Sequence, residues 1–264
     1  MKNPYIINTH SHVNTLTNTS VEDALENARN NDIITIIPSS SPEDIFDVDK
    51  FVKSHNDTYG YIGVYPEFAK DFSDNCLDNM KKIISNNPKI VGIGEIGLDY
   101  YWDKTFVDEQ KQAFIRQIKL ANEMNLPINV HCRDAYGDTL EILKTYNNNS
   151  TVIMHCFSGS YEFAKECIKL GMYISIGGVV TFKNAAKIKE VASNIPLEHL
   201  LLETDDPYLA PVPFRGKENQ PAYVKYVCDE IANLRGVTPE VIAQTSTQNA
   251  LKIFPKINSD IINI

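Results

Sequence analysis

The sequence predicts an α/β fold, a (β/α)8 TIM barrel, as one domain spanning residues 1–264. Short apolar runs alternate with helix-patterned segments eight times along the chain. The length of 264 residues is typical of a single barrel of this kind. Polar side chains that can bind metals stand at or near the ends of several apolar runs, where a barrel would bring them to one rim.

The β-branched and apolar runs are predicted as strands. In chain order they are Tyr5–His12, Ile33–Pro38, Tyr59–Tyr65, a run within Ile90–Trp102, Pro127–Cys132, Thr151–Cys156, Tyr173–Gly178 and Leu200–Asp205. The segments between them repeat apolar residues at helical spacing. The predicted helices are residues 21–30 after an N-cap at Ser20, residues 43–55 started by Pro42, Asn75–Ser85, Phe106–Asn125, Ala135–Tyr146, Tyr161–Leu170, Ala185–Ala192 and two helices within Pro221–Phe254.

Composition limits the class of protein. With 43% hydrophobic and 22% charged residues, the chain matches a globular protein, and no run approaches the roughly 20 apolar residues of a membrane span. The five cysteines have no CxxC spacing, which favours reduced thiols. The net charge of -9 argues against a generally basic nucleic-acid surface. We expect a cytoplasmic protein without a membrane anchor or an obligate protein partner.

Glu95 stands between glycines in IVGIGEIGLDYYW, where we predict that it lies at the carboxyl end of the fourth strand. A buried carboxylate is costly unless cations lie beside it. Candidate ligands occur near other predicted strand ends: His10, His12, His131, His155 and Asp205. A strand would point the imidazoles of His10 and His12 to the same face. Taken alone, such a pair is about as often two core residues as two metal ligands. The whole set leads us to predict that Glu95 bridges two metal ions at the barrel mouth.

Imidazole and carboxylate ligands together predict two divalent metal cations, and Zn, Mg, Mn, Fe, Co and Ni all stay open. Two ions about 3.5–4 Å apart can generate hydroxide near neutral pH and stabilise an in-line displacement at an ester. Asp205 would serve as ligand and base, so Glu95 and Asp205 are the predicted catalytic residues. Two divalent cations carry more positive charge than Glu95, Asp205 and one bound hydroxide cancel. The remaining positive charge suits an anionic ester.

Five motifs carry a family resemblance: NTHSHVN, GIGEIGLDYYW, NVHCRDA, MHCFSG and ETDDPYLAPVPFRGKENQPAYV. Together, from Ile7 to about Phe254, they resemble the TatD-type metal-dependent deoxyribonucleases of the amidohydrolase superfamily. The resemblance implies a two-metal phosphodiesterase that acts on DNA, often from the 3′ end. It also implies how the ligands divide. The first cation would take His10, His12, Glu95 and Asp205, and the second would take Glu95, His131 and His155.

Basic and aromatic side chains on predicted loops of the metal-bearing rim are candidate substrate contacts. Arg133 follows the ligand of strand five, while Arg215 and Lys217 follow strand eight, where they would neutralise phosphates. Tyr101 and Trp102 would stack on unpaired bases. The alternatives are ordinary surface ion pairs for the cations and a lid over the barrel mouth for the aromatics.

Four positions depart from the family pattern. Asn8 stands where Asp is usual, which removes a negative partner from a neighbouring histidine. Tyr65, in GVYPEF, stands where His is common and would alter specificity or rate if that residue contacts substrate. Glu218 and Gln220 replace a basic residue and a Glu, so we expect weaker phosphate binding by this loop.

The sequence therefore predicts a TatD-like metal-dependent hydrolase, with 3′ exonuclease action on single-stranded DNA ends as the leading activity. A second possibility is a two-metal hydrolase of a small phosphoester, lactone, amide or aminoacyl ester, which the acidic net charge and the GKENQP loop favour. A third is a metal-stabilised binding protein without turnover, suggested by Asn8 and Tyr65. The complete ligand set argues against the third possibility.

Overall fold

The computed structural model describes residues 5–257. Its eight strands follow one another in chain order as a closed barrel. They are β1 (Ile6–Asn8), β2 (Ile33–Pro38), β3 (Thr58–Tyr61), β4 (Ile90–Asp99), β5 (Ile128–Arg133), β6 (Val152–Met154), β7 (Tyr173–Ile176) and β8 (Leu200–Leu202). The predicted (β/α)8 fold is confirmed. Residues 1–4 and 258–264 of the predicted domain lie outside the described residues.

The helices lie between and after the strands. They are α1 (Val21–Asn30), α2 (Asp44–Ser54), α3 (Asp74–Asn86), α4 (Val107–Met124), α5 (Tyr136–Tyr146), α6 (Tyr161–Lys169), α7 (Ala186–Asn194), α8 (Val224–Arg235) and α9 (Pro239–Ile253). Helix α1 begins as predicted, because the Ser20 side chain accepts the Asp23 N–H at 3.1 Å. Helix α2 begins at Asp44 and not at Pro42, and the Ser41 hydroxyl accepts the Asp44 N–H at 3.2 Å. Within residues 5–257, no helix is long and apolar enough to cross a membrane.

The described residues form two compact units. The first unit contains the residues up to Ile37 and from Cys156 onward, and the second contains Pro38–His155. Each unit has its own buried apolar side chains, such as Ile7 and Leu201 in the first and Ile93 and Phe114 in the second. The single domain over residues 1–264 stays a prediction.

In the first unit, β1 pairs in parallel with β8, and β7 pairs with the other edge of β8. Helix α9 packs against β1 and β8. There, the Thr247 hydroxyl donates to the Tyr5 carbonyl at 2.6 Å, and Asn249 Nδ2 donates to the Leu200 carbonyl at 3.0 Å. Because parallel neighbours end at the same edge, the loops that follow β1 and β8 are brought together.

In the second unit, β3, β4, β5 and β6 are successive parallel neighbours. Gly97 of β4 pairs with His131 of β5, and a Cβ atom at Gly97 would lie 1.9 Å from the His131 carbonyl oxygen, so only glycine fits. The register between β4 and β5 shifts around Glu95, as at a β-bulge. Strand β4 continues to Asp99, so the prediction that Glu95 ends this strand is wrong. The bulge within β4, and not the end of the strand, positions the Glu95 carboxylate.

Candidate metal centre

One cluster of predicted ligands lies beyond the ends of β1 and β8, in the first unit. The Nε2 atoms of His10 and His12 are 3.1 Å apart. Asp205 Oδ1 lies 3.7 Å from His10 Nε2 and 3.9 Å from His12 Nε2. The His10 side chain is fully buried, whereas 17% of the His12 side chain and 19% of the Asp205 side chain are exposed. Three of the six predicted ligands therefore meet in a cluster that solvent can reach.

Asn8 supports this first cluster through the backbone. The Asp205 N–H donates to the His10 carbonyl at 3.1 Å. Buried Asn8 accepts the N–H of Thr204 at 3.0 Å and that of His10 at 3.4 Å. Its Nδ2 donates to the Thr204 hydroxyl at 2.7 Å. The amide thus orients the chain on both sides of the cluster.

The Thr204 hydroxyl donates a hydrogen bond to Asp206 Oδ1. Asp206 is fully buried, and burial raises the pKa of its carboxyl to about 6, against the lowering effect of the Thr204 hydrogen bond. A hydroxyl has one proton to donate. Asn8 therefore suits this position, because its amide donates to the Thr204 oxygen and leaves the hydroxyl proton for Asp206.

The other three predicted ligands meet in the second unit. Glu95 Oε1 lies 2.8 Å from His155 Nε2 and 2.9 Å from His131 Nδ1. The two ring nitrogens are 3.4 Å apart. The side chains of Glu95 and His155 are buried, and that of His131 is 15% exposed. One carboxylate oxygen thus faces two imidazoles at hydrogen-bonding distance.

Asp99, at the end of β4, holds the far side of His131. Its Oδ2 lies 2.9 Å from His131 Nε2 and accepts the Tyr65 hydroxyl at 3.1 Å. Burial raises the pKa of Asp99, but hydrogen bonds from His131 and from the Tyr101 N–H outweigh it, and the net pKa is lowered. For His131, burial lowers the pKa, and the hydrogen bonds to Asp99 and Glu95 raise it above its ordinary value. The Tyr65 hydroxyl also lies 3.2 Å from His131 Nε2, so Tyr65 contacts both a predicted ligand and its support.

Both clusters fit a divalent cation. Two ligands about 2.1 Å from one ion, at tetrahedral angles, are about 3.4 Å apart. The donor atoms are separated by 3.1 to 3.9 Å in the first cluster and by 2.8 to 3.4 Å in the second. Imidazole nitrogen with carboxylate oxygen is the donor set of several transition metals. A carboxylate behind an imidazole, like Asp99 behind His131, is a common support of metal-binding histidines.

Comparison with known proteins identifies the family. The family model described as TatD related DNase matches residues 7–255. The chain belongs to the TatD family. The uncharacterized metal-dependent hydrolase YabD of Bacillus subtilis is 44% identical over 253 residues, which cover 94% of this chain and 98% of that protein. YcfH of Escherichia coli K12, also an uncharacterized metal-dependent hydrolase, is 36% identical over 256 residues, covering 95% and 96%.

A solved structure agrees with this assignment. The crystal structure of YJJV, a TatD homolog from Escherichia coli K12, superposes with a TM-score of 0.88 at 29% identity, covering 95% of this chain and 98% of that one. The predicted family is confirmed, and the chain is a TatD-family metal-dependent hydrolase. Its first cluster, His10, His12 and Asp205, is a group that could bind a metal ion.

The aromatic and basic residues predicted to contact substrate lie in two places in this TatD-family chain. In the second unit, the Arg133 guanidinium lies 3.8 Å from the Tyr101 ring centroid and 5.3 Å from that of Trp102. The aromatic residues are 54% and 63% exposed. We call these three residues the Arg133 patch. In the first unit, Arg215 lies 4.5 Å from the Phe182 ring centroid, and Lys217 is exposed on the same loop.

The two unusual residues of the loop after β8 each have a structural role. The Glu218 carboxylate accepts the N–H groups of Thr17 at 2.8 Å, Asn18 at 3.0 Å and Thr19 at 2.8 Å. Burial raises the pKa of Glu218, but these hydrogen bonds together outweigh it and lower the pKa to about 2. Gln220 Nε2 donates to the Tyr223 hydroxyl at 3.2 Å. This loop of the TatD-family fold is thus tied to the loop after β1.

Sequence reasoning missed three buried acids near the clusters. Asp99 could have been found, because it lies four residues after Glu95 on one strand and therefore faces the same side. Glu203 accepts the Cys156 N–H at 2.5 Å and is fully buried, as is Asp206. Glu203 lies two residues before Asp205 and Asp206 directly after it in the ETDD motif, where the density of acids was the available signal.

Proposed function

We propose that this TatD-family hydrolase is a two-metal deoxyribonuclease that removes nucleotides from the 3′ end of single-stranded DNA. The observation that carries the proposal is the Arg133 patch. Arg133 lies two residues after the candidate ligand His131 on β5, and it stacks on two exposed aromatic rings. Aromatic rings beside a guanidinium are a common platform for unpaired bases and phosphates.

The ligand assignment is part of this proposal. The first cation would be held by His10, His12, Asp205 and Glu95, and the second by Glu95, His131 and His155. Divalent cations, when bound, make water more acidic and stabilise charge on the oxygens of a phosphodiester. Their identity among Zn, Mg, Mn, Fe, Co and Ni is left open by the donor set.

The protein's own groups have separate tasks in the proposed reaction. Asp205 would accept the proton of the attacking water at its carboxylate, which is partly exposed and therefore within reach of solvent. Glu95 would fix the positions of His131 and His155, whose ring nitrogens face its Oε1 atom. Tyr101 and Trp102 would stack on the terminal bases, and Arg133 would pair with a phosphate. Arg215 and Lys217 would also neutralise phosphates of the substrate.

The partner of the proposed reaction is DNA with single-stranded ends. The net charge of -9 disfavours a long basic surface on the protein that would bind along duplex DNA. Binding of a strand end needs only a local basic patch. Cytoplasmic location and action without an obligate protein partner are also part of the proposal.

The test uses protein stripped with a chelator and reloaded with Mg²⁺ or Mn²⁺. Single-stranded DNA labelled at the 5′ or 3′ end, duplex DNA and RNA would be compared as substrates. We expect single nucleotides to be released from the 3′ end. Glu95→Ala and Asp205→Ala should abolish this release, whereas Asp138→Ala, which removes a carboxylate paired with Lys111 at 2.6 Å, should not. A reloaded protein that leaves every nucleic acid intact would contradict the proposal.

The second candidate is hydrolysis of a small phosphoester, amide or aminoacyl ester by the same residues. One observation favours it: Glu218 brings a negative charge to the loop that carries Arg215 and Lys217, although the loop after β1 engages that charge. A panel of small esters, assayed alone and in competition with oligonucleotides, separates the two. Turnover of a small ester that DNA does not inhibit would favour the second candidate.

A further inference from the structure

Asp99 is a buried carboxylate whose two oxygens serve different parts of the second unit. The residue is 1% exposed. Its Oδ2 faces His131 Nε2 at 2.9 Å and accepts the Tyr65 hydroxyl at 3.1 Å. Its Oδ1 accepts the backbone N–H of Tyr101 at 2.8 Å and that of Trp102 at 3.4 Å. One side chain thus contacts a candidate metal ligand and the backbone of the candidate base-stacking residues.

The backbone of Asp99 is itself held in place. The side chain of Gln110, on α4, accepts the Asp99 N–H at Oε1 and donates from Nε2 to the Asp99 carbonyl, both at 2.9 Å. Gln110 is 1% exposed, so water competes little for these two hydrogen bonds. The carboxylate therefore projects from a backbone that is fixed on both sides, and its position depends little on loop motion.

The contact with Oδ2 determines which nitrogen of His131 carries a proton. An ionised carboxylate only accepts hydrogen bonds, so the proton of the imidazole stays on Nε2. The lone pair of Nδ1, the atom that faces Glu95 Oε1 at 2.9 Å, is then the one available to a cation.

We propose that Asp99 is a positioning residue with two functions, which rest on the proposed role of His131 as a metal ligand. It holds His131 in the tautomer that presents Nδ1 to the cation, and it fixes the loop that carries Tyr101 and Trp102. Through one carboxylate, the orientation of a ligand and the placement of the base-stacking residues depend on the same group.

Replacement by Asn separates the two functions, because an amide has one accepting oxygen and one donating nitrogen. If the oxygen stays on the Tyr101 N–H, the NH2 group faces His131 Nε2. The imidazole proton then moves to Nδ1, and that atom no longer binds a cation. If the amide turns the other way, the NH2 group faces the Tyr101 N–H and the loop loses its support. Asp99→Ala removes both contacts.

Two measurements that need no substrate test the proposal. Binding of Mn²⁺ is measured by isothermal titration, and the loop is followed by the fluorescence anisotropy of Trp102, which is the only tryptophan of the chain. We expect Asp99→Ala to weaken Mn²⁺ binding by about 10–100-fold, the usual effect of removing such a support. The anisotropy of Trp102 should fall in the same variant, and Asp99→Asn should lose at least one of the two properties. Long-range ¹H–¹⁵N spectra of Asp99→Asn should show the His131 proton on Nδ1 where metal binding is lost.

The matched control is Asp138→Asn. Asp138 is another aspartate of the second unit, and it accepts a tyrosine hydroxyl, that of Tyr100, at 2.7 Å. This variant should keep both properties. Tyr65→Phe should weaken Mn²⁺ binding less than Asp99→Ala, because Nε2 keeps its acceptor.

Each possible result for Asp99 decides something. Parental Mn²⁺ affinity in Asp99→Ala and in Asp99→Asn would overturn the tautomer function, and parental Trp102 anisotropy in both would overturn the loop function. Neither readout requires DNA hydrolysis, so the outcome is independent of whether the chain proves to be a nuclease.

Discussion

The two ligand clusters differ in how closely their donor atoms approach one another. In the second unit, Glu95 lies within 2.9 Å of both of its imidazole partners. In the first unit, Asp205 lies 3.7 and 3.9 Å from His10 and His12. The first cluster is therefore the looser of the two. A cation that enters the second cluster must displace protons shared between Glu95 and the imidazoles, so binding there is coupled to proton release.

The supports of the two clusters differ in the same direction. The second cluster has a charged support, Asp99, which contacts the imidazole of His131 directly. The first has a neutral one, Asn8, which acts through the backbone N–H groups of His10 and Thr204. A carboxylate support thus stands where it orients the side chain of a candidate ligand directly. An amide suffices where the backbone places the ligand.

The largest expected effect is a difference in Mn²⁺ affinity between variants of Glu95 and of Asp205. In Glu95→Gln, an amide that can present a donor replaces a carboxylate that accepts from two imidazoles. We expect Mn²⁺ binding and hydrolysis to fall by more than about 100-fold, which is the upper end of the loss when a residue that only supports a metal ligand is removed. Asp205→Asn should abolish turnover while keeping more of the Mn²⁺ affinity, because its cluster is looser. Paired kcat/KM and Mn²⁺ titrations measure the difference. Equal loss of Mn²⁺ affinity in the two variants would remove the distinction between the clusters.

The next effect tests whether the Arg133 patch adds substrate binding to the second unit. Trp102→Ala should raise KM for single-stranded DNA by about 5–100-fold, because stacking of one base contributes about 1–3 kcal/mol. KM for a small ester should not change. Phe46→Ala removes an exposed aromatic on α2, 50% accessible, and serves as the control. If both variants bind DNA like the parent, the patch is a lid and not a stacking platform.

Local patterns in the sequence predicted the elements, and contacts between distant residues account for what was missed. The bounds of α1 and β2 follow from local apolar spacing and from the N-cap at Ser20, and both agree with the structure. The position of Glu95 within β4 depends on a bulge, which requires knowledge of the pairing with β5. Glu218 accepts hydrogen bonds from Thr17, 201 positions away, and no local pattern indicates that contact.

The candidate ligands were predictable because their chemistry is restricted to a few residue types, whereas their supports were not. Asn8 and Tyr65 were noticed only as departures from a family pattern. Their partners, Thr204 and Asp99, became evident from hydrogen bonds of 2.7 and 3.1 Å. A support can be neutral or charged and can act through backbone or side chain, so residue type alone does not identify it.

A smaller effect sharpens the contrast between the supports. Asn8→Asp should destabilise the metal-free protein by about 1–3 kcal/mol, because the introduced carboxylate and that of Asp206 would compete for the single proton of the Thr204 hydroxyl. The melting temperature in a chelator should fall by about 2–10 °C. The double variant Asn8→Asp with Asp206→Asn should recover most of the loss. If Asn8→Asp alone is as stable as the parent, competition for the Thr204 proton does not explain the neutral residue at position 8.

The smallest effect concerns the tie between the loops of the first unit. The folded pKa of Glu218 is about 2, below its ordinary 4.5, so its charge stabilises the fold above about pH 4.5, and that contribution is lost as the pH falls toward 2. Glu218→Gln should lower the melting temperature by about 1–4 °C near neutral pH, since an amide cannot accept all three N–H groups. The difference from the parent should shrink steadily as the pH falls from about 5 to 3. Glu166→Gln, which breaks an exposed pair with Lys169, should show a smaller difference at every pH. A difference for Glu218→Gln that does not change with pH would mean that the tie does not depend on the carboxylate charge.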